Sequence, residues 1–241
     1  MRRVAQERSR RVLSVFENTH HGHNISAVLR TLDSFGFLDV LFLYHNPQMR
    51  FRASDSVHRG SSQWLFPQRR ESLATCAQDL REQGYKIALV SLPDFSCTAS
   101  SYDAGLPAFS CREFSSPAFQ NILGGSPLAL VFGSELVGVS ESWSTHADFY
   151  VYVPMWGFSE SLNVSVCAGV LLQSLRQVFC PPGAGPFLTP SDQDIVLDSW
   201  LARDYTPARV HLARYQPELM PWFEFVSQRK FLGGDLSCTT I

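Results

Sequence analysis

Short apolar runs, with helix-like stretches between several of them, limit the folds open to this chain more than any other feature. Five runs have the length and composition of buried strands: Val12–Phe16, Val40–Tyr44, Ile87–Leu92, Leu128–Phe132 and Phe149–Val153. Strands that alternate with helices usually pair in parallel, because each helix returns the chain across one face of the sheet. The sequence therefore predicts an α/β fold, with a mostly parallel sheet and helices on both faces.

Two stretches between these runs carry clear helix signals. Asn24–Phe35 repeats its apolar residues at the i, i+3, i+4, i+7 spacing of an amphipathic helix: Ile25, Val28, Leu29 and Leu32. Asn24 is a suitable N-cap, and Gly36 is a suitable C-terminal stop. Glu71–Gln83 is predicted to end at Gly84 in the same way.

A third helix is predicted after Ser161, and it is apolar around nearly its whole circumference. Its apolar positions are Val164, Val166, Cys167, Val170, Leu171, Leu172, Leu175 and Val178. Such a helix must be buried on every side, either inside the domain or against a second subunit. The composition changes sharply at Cys180–Pro186, and Ser191–Ile241 is predicted to be a helical extension containing Trp200, Tyr205, Tyr215 and Trp222.

Length and composition place the chain among ordinary globular proteins. The 241 residues suit one domain with terminal additions, and 45% hydrophobic with 17% charged residues argues against disorder. No apolar run is as long as a membrane span, and Val12–Phe16 is too short for a signal peptide. Six scattered cysteines without a CxxC pair favour reduced thiols. We expect a soluble, cytoplasmic protein with no membrane partner.

The net charge of −2 does not suggest a nucleic-acid-binding protein, but the positive charge is unevenly distributed. Only Lys86 and Lys230 are lysines, and the first eleven residues contain Arg2, Arg3, Arg8, Arg10 and Arg11. Arginine pairs with phosphate oxygens and stacks on bases, so this segment could contact RNA. A solvated helix face explains the same cluster equally well.

A glycine-containing loop, FGSELVGVS, occupies Phe132–Ser140 directly after a predicted strand. Gly133 would allow a close backbone approach, and Glu135 is the one acid of the loop. Glu135 could also be an ordinary helix-start residue favoured by the helix dipole. The loop is not a phosphate-binding P-loop, because no Lys-Ser/Thr pair follows Gly138, and no GxGxxG supports a dinucleotide site.

A second loop, VPMWGFSESLNVS, occupies Val153–Ser165. Pro154 and Gly157 are typical of a segment that cannot be helical. Ser161 and Asn163 could simply cap the helix that follows.

Arg30 lies on the side of its predicted helix opposite the apolar stripe, which by itself describes an exposed surface arginine. The nearby histidines His20, His21 and His23 raise the question of a metal site. Their spacing is irregular and Glu17 is the one acid beside them, so no metal is expected.

Together these segments resemble the motifs of the SpoU-type RNA ribose 2'-O-methyltransferases of the SPOUT superfamily. The segment ENTHHGHNISAVLRTLDSFG at Glu17–Gly36, which contains Asn24 and Arg30, resembles the first motif of the family. The two loops resemble the second and third motifs. ASDSVHRGSSQW at Ala53–Trp64 is also similar, so the resemblance extends from about Val12 to Phe179. It implies a C-terminal trefoil knot within the α/β fold, a homodimer, and S-adenosylmethionine as methyl donor without a metal.

The resemblance also implies the site residues. The expected catalytic residues are Arg30, Asn24, Glu135, Ser161 and Asn163, with Arg30 activating the ribose hydroxyl. The expected cofactor-binding residues are Val90, Gly133, Val153, Pro154, Met155, Gly157 and Leu162. Arginine is a poor general base, so a phosphate could orient Arg30, or Arg30 could stabilise the forming alkoxide. Related enzymes often have a hydroxyl residue at the position of Val90, so this contact is either through the backbone or lost.

The flanks of the expected methyltransferase domain, residues 12–180, indicate the substrate. A basic extension at residues 1–11 and a helical extension at 181–241 resemble the enzymes that methylate guanosine 18 in the tRNA D-loop. Arg3, Arg8 and Arg11 would then contact tRNA. Only about twenty residues precede Asn24, too few for the separate N-terminal domain of many ribosomal RNA enzymes. Two alternatives stay open: a methyltransferase acting on ribosomal RNA or another tRNA position, and a non-catalytic RNA-binding protein.

Overall fold

The computed structural model describes residues 1–46, 61–92, 105–159 and 161–204. Its strands are β1 (Ser9–Glu17), β2 (Phe37–Leu43), β3 (Phe66–Arg70), β4 (Lys86–Val90), β5 (Ala108–Ser110), β6 (Leu128–Phe132) and β7 (Phe149–Tyr152). These seven strands form one sheet in the order β3-β2-β1-β6-β4-β7-β5. Every neighbouring pair is parallel, which confirms the predicted α/β class.

Six α-helices lie within the described ranges. They are α1 (Arg2–Gln6), α2 (Gly22–Phe35), α3 (Leu73–Glu82), α4 (Pro117–Leu123), α5 (Val164–Phe179) and α6 (Pro190–Asp204). Short 3₁₀ turns occupy Ser61–Trp64, Cys111–Glu113 and Glu141–Trp143. None of the helices in this part of the chain has the length and apolar character needed to cross a membrane.

Helices cover both faces of the sheet, and β1 contributes to both because its successive side chains point to opposite faces. Val12 and Phe16 pack in one buried cluster with apolar side chains of α2, α4 and α5. Leu13 and Val15 pack in a second cluster, on the other face, with α3 and Trp143. The five predicted strands are all present, whereas β3 and β5, the two edge strands of the sheet, were missed.

The ends of α2 show one wrong prediction and one confirmed prediction. The helix begins at Gly22 with His21 as its N-cap, so Asn24 lies inside the first turn and does not cap it. The helix ends as predicted at Gly36, whose φ of 78° is left-handed. A Cβ at Gly36 would also lie 2.8 Å from the carbonyl oxygen of Glu7, so glycine satisfies two separate requirements there.

The terminal helices α1 and α6 pack against each other rather than extending into solvent. Ala5, Leu188, Val196 and Trp200 form a buried cluster with Leu38 of β2. The indole Nε1 of Trp200 donates to the carbonyl oxygen of Trp64 at 3.1 Å, and the two rings meet edge to face. Helix α6 lies within the predicted C-terminal extension, while the part of that extension beyond residue 204, including Tyr205, Tyr215 and Trp222, lies outside the described residues.

Helix α5 is less uniformly buried than its sequence indicates. Leu171, Leu172 and Leu175 are completely buried against the sheet. On the opposite side, Val166 is 51% exposed and Val170 is 37% exposed in the single chain. The predicted burial on every side is therefore not achieved by the described residues of one copy.

Candidate active site

The carboxyl ends of β1, β4, β6 and β7 lie side by side at one end of the parallel strands. Parallel pairing brings this about, since Phe16 pairs with Phe132 and Val90 pairs with Val151. The segments that leave these strands contain most of the residues singled out from the sequence. In parallel α/β sheets this end is where ligands bind, because loops converge there around exposed backbone groups.

Three of the predicted catalytic residues form a continuous hydrogen-bonded network. The side-chain amide of Asn24, in the first turn of α2, donates to Oε1 of Glu135 at 2.7 Å. The amide of Asn163, just before α5, donates to Oδ1 of Asn24 at 3.0 Å. The network therefore joins three segments that are distant in sequence, with the carboxyl group of Glu135 as the acceptor at one end.

Asn163 has a second role at the start of α5. Its Oδ1 accepts the backbone N–H of Ser165 at 2.9 Å and the hydroxyl of Ser165, so Asn163 is the helix cap that its sequence position suggested. Ser161 lies outside the helix and is exposed, so it does not share this capping role. Its catalytic role stays a prediction.

Glu135 lies in a tight turn and does not begin a helix. The backbones of Ser134 and Gly138 exchange two hydrogen bonds, at 3.0 and 2.9 Å, and close the turn between them. A Cβ at Gly133 would lie only 1.9 Å from the carbonyl carbon of Gly138. The close backbone approach predicted at Gly133 is therefore made by the turn itself, which leaves Leu136 93% exposed at its tip.

Arg30 points away from this network. It lies six residues after Asn24, which is about 120° further around the helix. Its side chain is exposed, and among the residues that the structure describes none forms an ion pair with it. Its positive charge is thus available to an anionic ligand at the surface of α2.

Most of the predicted cofactor-binding residues lie in the segment that follows β7. Val90, Val153, Pro154 and Met155 are half-buried, whereas Gly157 and Leu162 are exposed. From Met155 to Ser159, no backbone N–H donates to the backbone of another described residue. A Cβ at Gly157 would meet only the nitrogen of Ser159, at 4.0 Å. Unpaired donors beside apolar side chains and open space fit the adenosine and amino-acid groups of S-adenosylmethionine.

Trp156, in the middle of this segment, stacks against Arg112 on one face of its ring. The guanidinium carbon of Arg112 lies 4.8 Å from its ring centroid, while the ring as a whole is largely exposed. Neither residue was singled out from the sequence, since 44 residues separate the two along the chain.

A second carboxylate at the same end of the strands, Glu17, also escaped selection from the sequence. It ends β1, is 1% exposed, and accepts the backbone N–H of Ser140 at 2.9 Å together with the Ser140 hydroxyl. Nε2 of His45 lies 2.8 Å from Oε1 of Glu17. An ionisable residue directly after the predicted strand Val12–Phe16 was the one signal available in the sequence.

Tyr44, next to His45, steadies the segment after β1. Its hydroxyl donates to the carbonyl oxygen of Thr19 at 3.0 Å. Burial raises the pKa of Tyr44 to about 12, opposed by the charge of Arg69 and reinforced by that of Glu135. The hydroxyl therefore stays protonated throughout the physiological pH range and keeps this hydrogen bond.

One of the three arginines predicted to contact RNA, Arg8, is enclosed by the fold. Arg8 is buried, donates to the carbonyl oxygen of Asp33 at 2.8 Å and forms an ion pair with its carboxylate. Its guanidinium also stacks 5.2 Å from the ring centroid of Trp200. Asp33 and α6 therefore occupy the Arg8 side chain in the single chain, and RNA binding by Arg8 stays a prediction.

Arg11 and Arg3 have different surroundings. The guanidinium of Arg11 lies 5.3 Å from the ring centroid of Phe179 and is partly buried, whereas Arg3 is exposed on α1. Both precede or begin β1, so they lie at the end of the strands opposite Asn24. RNA contacts by Arg3 and Arg11 stay predictions.

The three histidines beside α2, His20, His21 and His23, are exposed. Within the described ranges, no group of three or more histidine, cysteine, aspartate or glutamate side chains is arranged to hold a metal ion.

Comparison with known proteins places this arrangement in a family. A sequence model of the SpoU rRNA Methylase family matches residues 11–173. A Thermus thermophilus protein named tRNA (guanosine(18)-2'-O)-methyltransferase is 30% identical over 202 residues, which cover 83% of this chain and 93% of that protein. The crystal structure of the A. aeolicus TrmH/SpoU tRNA modifying enzyme matches with a TM-score of 0.67 at 25% identity, covering 84% of this chain and 93% of that chain.

A further solved structure contains a methyl donor. The SpoU methyltransferase AviRb from Streptomyces viridochromogenes, in complex with the cofactor AdoMet, shares the fold with a TM-score of 0.50 and 24% identity. The match covers 71% of this chain and 62% of that chain. Because the family match spans well over half of its residues, the chain belongs to the SpoU rRNA Methylase family.

Proposed function

We propose that this protein transfers a methyl group from S-adenosylmethionine to the ribose 2'-oxygen of guanosine 18 in tRNA. One observation supports this most: Asn24, Glu135 and Asn163, each expected in the active site, form one hydrogen-bonded network. The network precedes α5, as do residues 155–159, whose backbone N–H groups donate to no described backbone group and so suit S-adenosylmethionine. The Thermus thermophilus relative, 93% of whose length is matched, has the activity in its name.

The methyl donor would be held by Val90 and by the segment from Val153 to Leu162. When bound, S-adenosylmethionine supplies an already activated methyl group on a sulfonium. What remains for the protein is to orient the ribose and to favour loss of the hydroxyl proton. Holding both partners near attack geometry can account for much of the acceleration.

Arg30 is the group proposed to act on the hydroxyl. As a permanent cation it does not accept a proton readily, so it would act by stabilising the alkoxide that forms on the 2'-oxygen when the hydroxyl proton passes to solvent water. Arg30 is exposed on α2 and forms no ion pair with a described residue, which suits a ligand that brings its own negative charge, such as the RNA backbone.

We also propose that the protein is a homodimer and that α5 lies in its interface. Val166 and Val170 are one turn apart on the exposed side of α5, and Trp156 and Phe158 lie exposed in the segment before it. Apolar side chains grouped on one surface are typical of subunit interfaces.

Val170→Glu is therefore expected to shift the protein from a dimer to a single chain of 27.1 kDa. A charge buried at an interface without a partner costs several kcal/mol. Light scattering after size-exclusion chromatography gives the mass directly. Leu201→Glu, at a comparably exposed leucine of α6, serves as control and should stay dimeric. A Val170→Glu protein that remains dimeric would remove α5 from the interface.

The finer features of the fold and setting belong to the same proposal. We expect the C-terminal part of a domain spanning about residues 12–180 to be knotted, with 1–11 and 181–241 as extensions. The match of the family over residues 11–173 supports these bounds. A cytoplasmic location would follow from a tRNA substrate.

The test compares RNA substrates. The intact protein is incubated with S-adenosylmethionine labelled on its methyl group, together with unmodified tRNA transcripts or ribosomal RNA transcripts. Label on tRNA alone is expected, while label on ribosomal RNA alone would overturn the proposed substrate. Calorimetry with S-adenosylmethionine runs in parallel. Failure to bind it, with no label on either RNA, would favour a non-catalytic RNA-binding protein.

A further inference from the structure

We propose that Glu17 is a positioning residue, which holds the Glu135 turn in place through Ser140 and so sets the geometry of the active site. The inference rests on the proposed methyl transfer for its effect on catalysis. The contacts of Glu17 are independent of that reaction.

The carboxylate of Glu17 is unusually well fixed. Although it is 1% exposed, both of its oxygens have partners: the N–H of Ser140 at Oε2, and the hydroxyl of Ser140 and Nε2 of His45 at Oε1. A buried carboxylate is costly unless it is hydrogen-bonded, so these contacts are needed to keep it at the end of β1. Three donors from two segments leave it little freedom to move.

The backbone from Glu135 to Ser140 is held in place by burial and by hydrogen bonds. Val139, next to Ser140, is buried, and Gly138 is tied to Ser134 by two backbone hydrogen bonds. Glu135 lies inside this closed turn and reaches Asn24 at 2.7 Å. A displacement of Ser140 would therefore be passed to the Glu135 carboxylate and would lengthen its contact with α2.

The other side of Glu17 is equally anchored. The N–H of His45 donates to Oδ1 of Asn18 at 3.2 Å, and the N–H of Asn18 donates to the carbonyl oxygen of Leu43 at 2.8 Å. Asn18 has a φ of 48°, a left-handed conformation that is uncommon outside glycine. Glu17 thus connects the ends of β1 and β2 to the turn that follows β6.

Asp148 offers a matched control at the opposite end of the parallel strands, where β4 and β7 begin. It also accepts a backbone N–H, that of Ile87 at 2.8 Å, and it accepts Lys86 and Arg81 at 3.1 and 3.0 Å. It braces the beginning of β4 against the beginning of β7, away from the Glu135 turn. We expect loss of its carboxylate to affect stability without displacing the Glu135 turn.

The experiment compares Glu17→Asp with Asp148→Asn, each alone and combined with Glu135→Gln, in the full chain. Shortening Glu17 by one methylene withdraws the carboxylate from Ser140. We expect kcat for tRNA methylation to fall at least about tenfold in Glu17→Asp. No further fall is expected when Glu135→Gln is already present, because both changes would act through the same turn. Asp148→Asn should alter kcat less than twofold in either background.

Amide hydrogen exchange provides a readout that does not depend on activity. Glu17→Asp is expected to accelerate exchange in residues 134–140 at least about tenfold, while Asp148→Asn leaves that turn unchanged. Unchanged exchange in the turn, or a loss of kcat that simply adds to that of Glu135→Gln, would overturn the role of Glu17. If the unsubstituted protein methylates no RNA, the proposed function fails, and hydrogen exchange still decides whether Glu17 positions the turn.

Discussion

Arg30→Ala is expected to reduce the rate of methyl transfer about a thousandfold while leaving the fold intact. The rate should fall because the alkoxide forming on the 2'-oxygen would lose its nearby positive charge, and loss of one such group typically costs two to three orders of magnitude. The fold should persist because Arg30 is exposed on α2 and forms no ion pair with a described residue. Single-turnover methylation of tRNA, with thermal unfolding alongside, measures both effects.

Two variants separate the role of Arg30 from a general loss of charge. Arg30→Lys retains the charge without the planar fork and should keep only a small part of the activity. Arg81→Ala removes a partly exposed arginine that contacts Asp148 and the carbonyl of His146 at the far end of the strands. It should methylate at nearly the normal rate. Equal losses in Arg30→Ala and Arg81→Ala would show that only overall charge matters.

Gly133→Ala is the second substitution for which we expect a large effect, because there is no space for the added methyl group. Its Cβ would lie 1.9 Å from the carbonyl carbon of Gly138 and 2.1 Å from the nitrogen of Val139. These are backbone atoms, so the turn would have to open and Glu135 would move away from Asn24. We expect a loss of at least about 2 kcal/mol in unfolding free energy and a fall of about a hundredfold or more in methylation.

Gly169→Ala is the control for this substitution. It adds the same methyl group within α5, where the nearest atom outside the helix backbone is Cγ2 of Thr31 at an ordinary 3.9 Å. Helix propensity even favours alanine there. Chemical denaturation and methylation assays on both variants test the contrast. A Gly133→Ala protein as stable and as active as Gly169→Ala would refute the argument from the turn.

The sequence predicted the interior of the sheet better than its edges. Every residue of β6 is buried, and Leu128–Phe132 was predicted with its observed bounds. The residues of β3 are all half-buried and include Arg69 and Arg70, so the segment lacks the pattern of a strand. Edge strands owe their conformation to pairing with one neighbour, here β2, which a local pattern does not contain.

The candidate site could be named from its motifs but its contacts could not be predicted. Asn24 and Glu135 are 111 residues apart, and Glu17 and Ser140 are 123 residues apart, so the sheet topology alone brings them together. The surroundings of Arg8 could not be predicted either. Its charge suggested RNA, but Trp200 and Asp33 cover it in the fold. Which arginines are exposed depends on where α6 packs, and periodicity gives no information on that.

Methylation of two tRNAs that differ by one oxygen atom tests the central claim most directly. One transcript has guanosine at position 18 and the other has 2'-deoxyguanosine there, and each is incubated with the intact protein and methyl-labelled S-adenosylmethionine. Transfer to the ribose 2'-oxygen predicts about one methyl group per molecule of the first tRNA and none on the second. Equal labelling of both tRNAs would contradict the account, because the methyl group would then be attached elsewhere.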